Sequence, residues 1–294
     1  DKVFNAVRRN TAMAYMFLNP VNTMLQFTGA PLALLKVSAG HLVRAQAQIA
    51  AHPVRSYEFI KQMSPFMEER LTNKNALMYD HMQEIMLNPS VYGKVTNWAQ
   101  RNAYITQIYA DRIISTTVWL GAYNQALVEA PKNLTQQKRE RYAIRQADAA
   151  VRQTQMDQSP EGIAAFEAGE PWKRMFTQFT GYFNMWARTN GEELATSLRN
   201  REWARMSFVA FIGLVLVPAL GEVIRLVLSG GPDDDEGDGY LDDWAGSIGW
   251  GTFKFYTAAV PLVGSWAVSG LGWAADDPFA SRVMVAPAAG AVEA

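Results

Sequence analysis

From Met206 to Gly221 the chain runs for sixteen residues without a charge, and from Ile248 to Ala275 it runs for 28 with Lys254 as the only one. Between the two lies "GGPDDDEGDGYLDD", residues 230–243, which holds seven carboxylates and no basic residue. Stretches this apolar must leave water, and a loop this acidic must stay in it. As a helix the first run spans about 24 Å, short of the ~20 residues that cross a bilayer. Extension to Ser229 reaches 24 residues but takes in Glu222 and Arg225, which lie three apart on one helical face near the segment's end. Pro218 has no N–H to donate, so one carbonyl in this helix needs another donor. Taken alone, the run fits a membrane helix and the central helix of a soluble bundle equally well.

The second run favours the membrane. Trp244, Trp250, Tyr256, Trp266 and Trp273 gather toward its ends, as an aromatic belt does. Gly246, Gly249, Gly264, Gly270 and Gly272 suit close helix packing in lipid. Arg199, Arg201 and Arg205 precede the first run, so the asymmetry of basic residues puts residues 1–205 on the cytoplasmic side. The expectation is an apolar helical hairpin over 206–275, with a C-terminal tail over 276–294. Its membrane-interacting side chains would be Phe208, Phe211, Leu214 and Leu216 on the first arm. On the second they would be Trp250, Phe253, Tyr256, Trp266 and Trp273. Asp234, Glu236, Asp238 and Gly239 fit the opening of a calcium loop, but position twelve is Ala245 where a bidentate Glu is needed. The acidic loop therefore reads as a solvated turn, and no metal is expected.

The formal net charge of −1 conceals a division. Residues 206–294 carry three basic and eleven acidic residues, leaving 24 basic and 17 acidic of the chain's 27 and 28 to residues 1–205. Two parts of opposite sign, one of them apolar, suggest two tasks. With no Cys, thiol catalysis, disulfides and thiolate metal sites are excluded. His41, His52 and His81 stand apart without a partner motif, and no hydrolase, zinc-protease or phosphate-loop pattern occurs. Neither catalysis nor a cofactor is expected. The sequence starts at Asp1, and "DKVFNAVRRN" lacks the apolar core of a signal peptide; the expectation is a segment of a longer polypeptide.

Residues 1–205 read as helix throughout, because apolar residues recur at three and four. Asn19-Pro20, Ser64-Pro65, Asn88-Pro89 and Ser159-Pro160 look like helix starts, the first residue capping and Pro at the first turn. One helix is predicted over 31–51. A long one is predicted over 89–129, with Gly93 and Gly121 as kink points, giving an all-α fold: an elongated multi-helix bundle, then the hairpin. Trp172, Phe176, Phe179, Phe183 and Trp186 are spaced four, three, four, three, an aromatic seam for helix packing or oligomerisation, or for an interfacial helix. Lys138, Arg141 and Arg145 share a helical face, either solvated or able to touch phosphates without reading bases. The adjacent Glu192 and Glu193 point about 100° apart on a helix and make a poor shared site.

One stretch carries a resemblance. In "ADAAVRQTQMDQSPEGIAAFEAGEPWKRMFTQFTGYFNMWARTN", residues 147–190, an Ala-Asp-x-x-Val-Arg-x-Thr-Gln segment leads into an aromatic helix of the type Phe-Thr-x-Phe-x-x-Tyr-Phe-Asn. It resembles the C-terminal regions of large bacteriophage polyvalent, internal-virion or DNA-ejection proteins. The resemblance implies a helical segment held in the capsid interior and then delivered to the host envelope. Its implied partners are copies of itself, other virion, ejection or portal-tail proteins, the host inner membrane and the DNA backbone. The alternative from the residues alone is a soluble helical scaffold whose apolar stretches are core or subunit interface.

Overall fold

The computed structural model describes Phe27 and residues 29–72, 105–155, 181–229 and 240–258. Of these, 89% are helical and none forms a strand. The chain is all-α, as its apolar spacing predicts.

The first group of helices is α1 (Gly29–Ala33), α2 (Ala39–Ala51), α3 (Pro53–Met63), α4 (Pro65–Thr72), α5 (Ile105–Glu129) and α6 (Gln136–Thr154). Helices α3 and α4 each begin on proline, where the missing N–H would have had no intrahelical partner. Ser64 caps α4 as the Ser-Pro pair suggests, its Oγ accepting the Met67 N–H at 3.0 Å. Two expectations need correction. The single helix over 31–51 breaks after Ala33, where Leu34, Leu35 and Lys36 donate to carbonyls three residues back. Gln125 Oε1 of α5 then accepts the Ser38 N–H at 2.8 Å, so a tertiary hydrogen bond overrides local propensity. Gly121 is no kink, since α5 runs through it. A Cβ there would sit 3.2 Å from Leu42 Cδ2 and 3.3 Å from Val37 Cγ1, so its bareness lets α2 lie close. Gly93, Asn19-Pro20, Asn88-Pro89 and Ser159-Pro160 lie outside the described residues.

The first core is built around Trp119, which is fully buried with Ile60, Met67, Leu71, Val118 and Val151. Ala143, Ala147 and Ala150 keep α6 flat where it meets α5. The Trp119 and Tyr123 rings stack at 5.1 Å, and Phe59 meets both edge-on. The indole needs an acceptor in this apolar setting, and Asp148 supplies it. Its Oδ1 accepts from Trp119 Nε1 at 2.7 Å and from Ser64 Oγ at 2.7 Å. Asp148 belongs to the segment that carries the phage resemblance, and its neighbours there also hold the fold. The Arg152 guanidinium lies over the Phe66 ring at 4.4 Å. Gln155 Nε2 donates to Gly29 O at 3.3 Å, and Thr189 Oγ1 of the next helix donates to Gln153 O at 2.5 Å.

The second group starts with α7 (Gly181–Arg199). It continues into a rod made of α8 (Trp203–Ala210), a π-helical segment (Phe211–Leu216) and α9 (Val217–Ser229), and then α10 (Tyr240–Ala258). Leu32, Leu35, Met185, Trp186, Val209, Ile212 and Val217 form its core, with Phe255 and Tyr256 packed on them. This core straddles position 205. Tyr256 meets Leu214 and Gly251 meets Glu222, so α10 runs antiparallel to the rod and the two form a hairpin. The acidic residues 230–239 lie outside the described residues.

Replacing Asp148 with Ala strands the Trp119 indole N–H in the first core. The expected result is a loss of about 1–3 kcal/mol in chemical denaturation, with Asp148→Asn, which keeps a carbonyl acceptor, losing less.

Candidate functional site

The rod from Trp203 to Val227 is 25 residues long, about 37 Å at 1.5 Å per residue, which exceeds a hydrocarbon core of ~30 Å. Its interior is organised by Pro218. In α register the residue at 218 would donate to Leu214 O, and in π register to Gly213 O; proline donates to neither. Immediately before it the helix is π-wound, with the Val217 N–H donating five residues back to Ile212 O. Neighbouring helices supply what proline withholds. Trp186 Nε1 of α7 donates to Gly213 O at 2.9 Å, and Tyr256 Oη of α10 donates to Leu214 O. The two donors also touch each other, ring centroids 6.0 Å apart, with Phe255 edge-on to both.

Two glycines make these approaches possible. Asn190 lies directly over Gly213, where any Cβ would collide with its amide. The amide is fixed by its own Nδ2 bond to Trp186 O at 2.8 Å. Gly251 of α10 likewise leaves room for Glu222, which accepts from Arg225 Nε at 2.9 Å and Nη2 at 2.5 Å. The pairing of Glu222 with Arg225 is the one their spacing suggests.

At the rod's base, Glu193 of α7 takes Lys36 Nζ at 2.5 Å and Arg205 Nη2 at 2.5 Å, and Arg205 also reaches Leu35 O at 3.2 Å. Burial pushes the Glu193 carboxyl up, but hydrogen bonds and charge from Lys36 and Arg205 outweigh it and hold the group below its ordinary value. The Arg205 expected as a flanking charge is thus tied to Glu193 and Leu35, although its side chain stays exposed. The sequence marks Glu193 only as a poor partner for Glu192, although a signal for its burial is present. Trp186, Asn190, Glu193 and Ser197 continue the four-three-four spacing of the aromatic stripe, and all four are buried. The seam runs on with polar side chains, and Glu192 beside it is exposed.

Of the predicted membrane-facing residues, Phe208 (45%), Phe211 (53%) and Phe253 (47%) are exposed, with Leu214 beside them. Leu216 is half-buried against the second core, and Trp250, also half-buried, stacks on Phe253 at 5.4 Å. Val215 and Val227 add to the uncovered side, and only 33% of the rod's most apolar stretch is buried. Trp266 and Trp273 lie outside the described residues, as do Trp172, Phe176, Phe179 and the side chain of Phe183. Trp186, the described member of that stripe, is buried between α7, the rod and α10. Lys138, Arg141 and Arg145 are exposed along α6 and make no ion pair among the described residues. No group of acidic or His side chains among the described residues could hold a metal ion. Comparison with protein families, curated proteins and solved structures finds no match to this chain.

Gly213→Ala should destabilise the second core by about 1–3 kcal/mol through the forced shift of Asn190, read by thermal unfolding. Glu193, with its lowered pKa, contributes stability that is complete at neutral pH and is lost as pH falls below about 4.5. An acid titration of Glu193→Gln should therefore show less stability than wild type at pH 7 and a shallower decline on acidification. Parallel wild-type and variant curves would sink this assignment.

Proposed function

We propose that this chain is a membrane-interacting structural segment of a bacteriophage DNA-ejection apparatus. In this reading it is stored in the capsid interior, then enters the host inner membrane as a homo-oligomer and forms part of a genome-delivery conduit. The observation that carries the membrane part is the rod: long enough to cross, bare of neighbours on one apolar side, and with the carbonyls at 213 and 214, one of which Pro218 leaves without its donor, both met from within the protein. A spanning helix tolerates a proline where neighbouring helices or local rewinding meet the freed backbone group, and both are present here. The ends fit as well. Trp203 stands exposed at one end. Some 19 residues on, the mutually paired Glu222 and Arg225 lie about 28 Å away, level with the Gly251 that follows Trp250. The phage assignment rests on the resemblance across residues 147–190. Other virion, ejection or portal-tail proteins would be its partners, and Lys138, Arg141 and Arg145 would meet DNA phosphates without sequence preference. No catalytic role is proposed.

A second reading, a soluble helical scaffold, draws on the link from Arg205 to Glu193 and Leu35, which binds the rod's base to the first helices. In that case the bare side of the rod covers another subunit and never meets lipid.

Incubation of the full chain with liposomes, followed by flotation and protease digestion, separates the two. The expected outcome is co-flotation with protection of a fragment within residues 200–280. A chain that stays in the aqueous phase without detergent and is cut in this region with or without lipid would overturn the membrane reading in favour of the scaffold.

A further inference from the structure

The turn joining α7 to the rod holds an anomaly. Glu202 N–H donates to Ser197 O and Arg201 N–H to Leu198 O, the paired bonds that close a helix with a left-handed residue. That left-handed residue is Arg201, at φ 58°, the only non-glycine residue with positive φ among those described. The position is one that glycine fills without strain and that most side chains resist. Arg201 is also exposed, as is Arg199 two residues before it, and neither forms an ion pair among the described residues. Trp203, 59% exposed, follows at once, and the uncovered side of the rod continues from it through Ser207, Phe208, Phe211 and Val215. Arg205, the other basic residue here, is paired with Glu193, which it shares with Lys36.

Two guanidinium groups with no ion pair among the described residues, the exposed carboxylate of Glu202, an exposed indole and an apolar stripe thus follow one another at the rod's entry. The chemistry they match is layered in the same order: anionic phosphate, the polar interface, hydrocarbon. We infer that the α7–α8 turn is a binding site for anionic phospholipid headgroups, in which Arg201 occupies a glycine position for the sake of its charge. Arg199 and Arg201 hold the lipid phosphates while Trp203 sits at the interface beneath them. The site rests on the membrane reading proposed above and adds to it a lipid preference and the residues that set it. The same turn fixes the direction of the rod, because only three residues, Asn200, Arg201 and Glu202, separate the end of α7 from α8. Headgroups bound there would hold the rod's entry at the membrane surface.

Arg201→Gly tests this with two readouts that move in opposite senses. Relief of the left-handed strain should raise the unfolding temperature of the full chain in solution. Binding to vesicles containing phosphatidylglycerol should fall about fivefold, the worth of one basic residue near an anionic surface, and about 25-fold when Arg199→Gln is added. Binding to purely phosphatidylcholine vesicles should be weaker from the outset and unchanged by either substitution. Arg44→Gln, which removes an exposed charge on α2, should leave both untouched. If wild type binds both vesicle types and Arg201→Gly binds phosphatidylglycerol equally well, the headgroup site is wrong while the membrane reading stands. An equal loss on Arg44→Gln would also overturn it, by making the attraction a matter of general charge. Failure of wild type to bind either vesicle would remove the membrane reading and this site together.

Discussion

Proline at 218 withholds a hydrogen bond in the middle of a helix that has almost no polar side chains of its own, and the second half of the molecule is arranged around that deficit. The carbonyls at 213 and 214 cannot be left bare in an apolar interior, where an unmet backbone group costs on the order of a few kcal/mol. An indole on α7 and a phenol on α10 meet them. Both donors are aromatic, so each delivers one polar atom on a large apolar body and needs no water to accompany it. Their placement forces α7 and α10 against the same stretch of rod, and that contact requires glycine at 213 and 251. The π-wound turn belongs to the same arrangement, since it lies directly before the proline.

The two cores use polar groups in the same way. Asp148 serves Trp119 in the first, and Gly213 O serves Trp186 in the second. Each tryptophan ties together helices far apart in sequence, and each indole partner fixes the ring's orientation. The cores are joined through α1 and the turn after it, which together give Leu32 and Leu35 to the second and Ala33 and Val37 to the first. Lys36 within that turn reaches Glu193. A short helix and the irregular turn after it therefore connect the two cores, beside the bond from Thr189 of α7 to Gln153 of α6.

Helicity, the Ser64 cap and the Glu222–Arg225 pair were legible in the sequence because each depends on residues within four positions of one another. So was the need for a donor opposite Pro218, though not its source. What sequence reading missed depends mostly on partners 87 to 170 positions away: Gln125 at the helix break before Ser38, Lys36 closing on Glu193, and Leu35 O accepting from Arg205, whose bond to Glu193 itself spans 12 positions. Glu193 was missed for a further reason. The aromatic residues that mark the seam end at Trp186, while the buried positions continue at the same spacing through Asn190, Glu193 and Ser197. Periodicity of position outlasts periodicity of hydrophobicity when a helix buries charge against charge.

The contact between Gly251 and Glu222 also limits what the hairpin can do mechanically. Antiparallel apolar helices with smooth faces can slip past one another by a turn and find nearly equivalent packing. Here a slip would bring Ser247, Ile248, Lys254 or Phe255 opposite the Glu222 side chain, and none of them is glycine. The arms therefore have a single alignment, like a ratchet with one tooth. Any rearrangement that carries the rod elsewhere must either move α10 with it as a unit or separate the two helices completely.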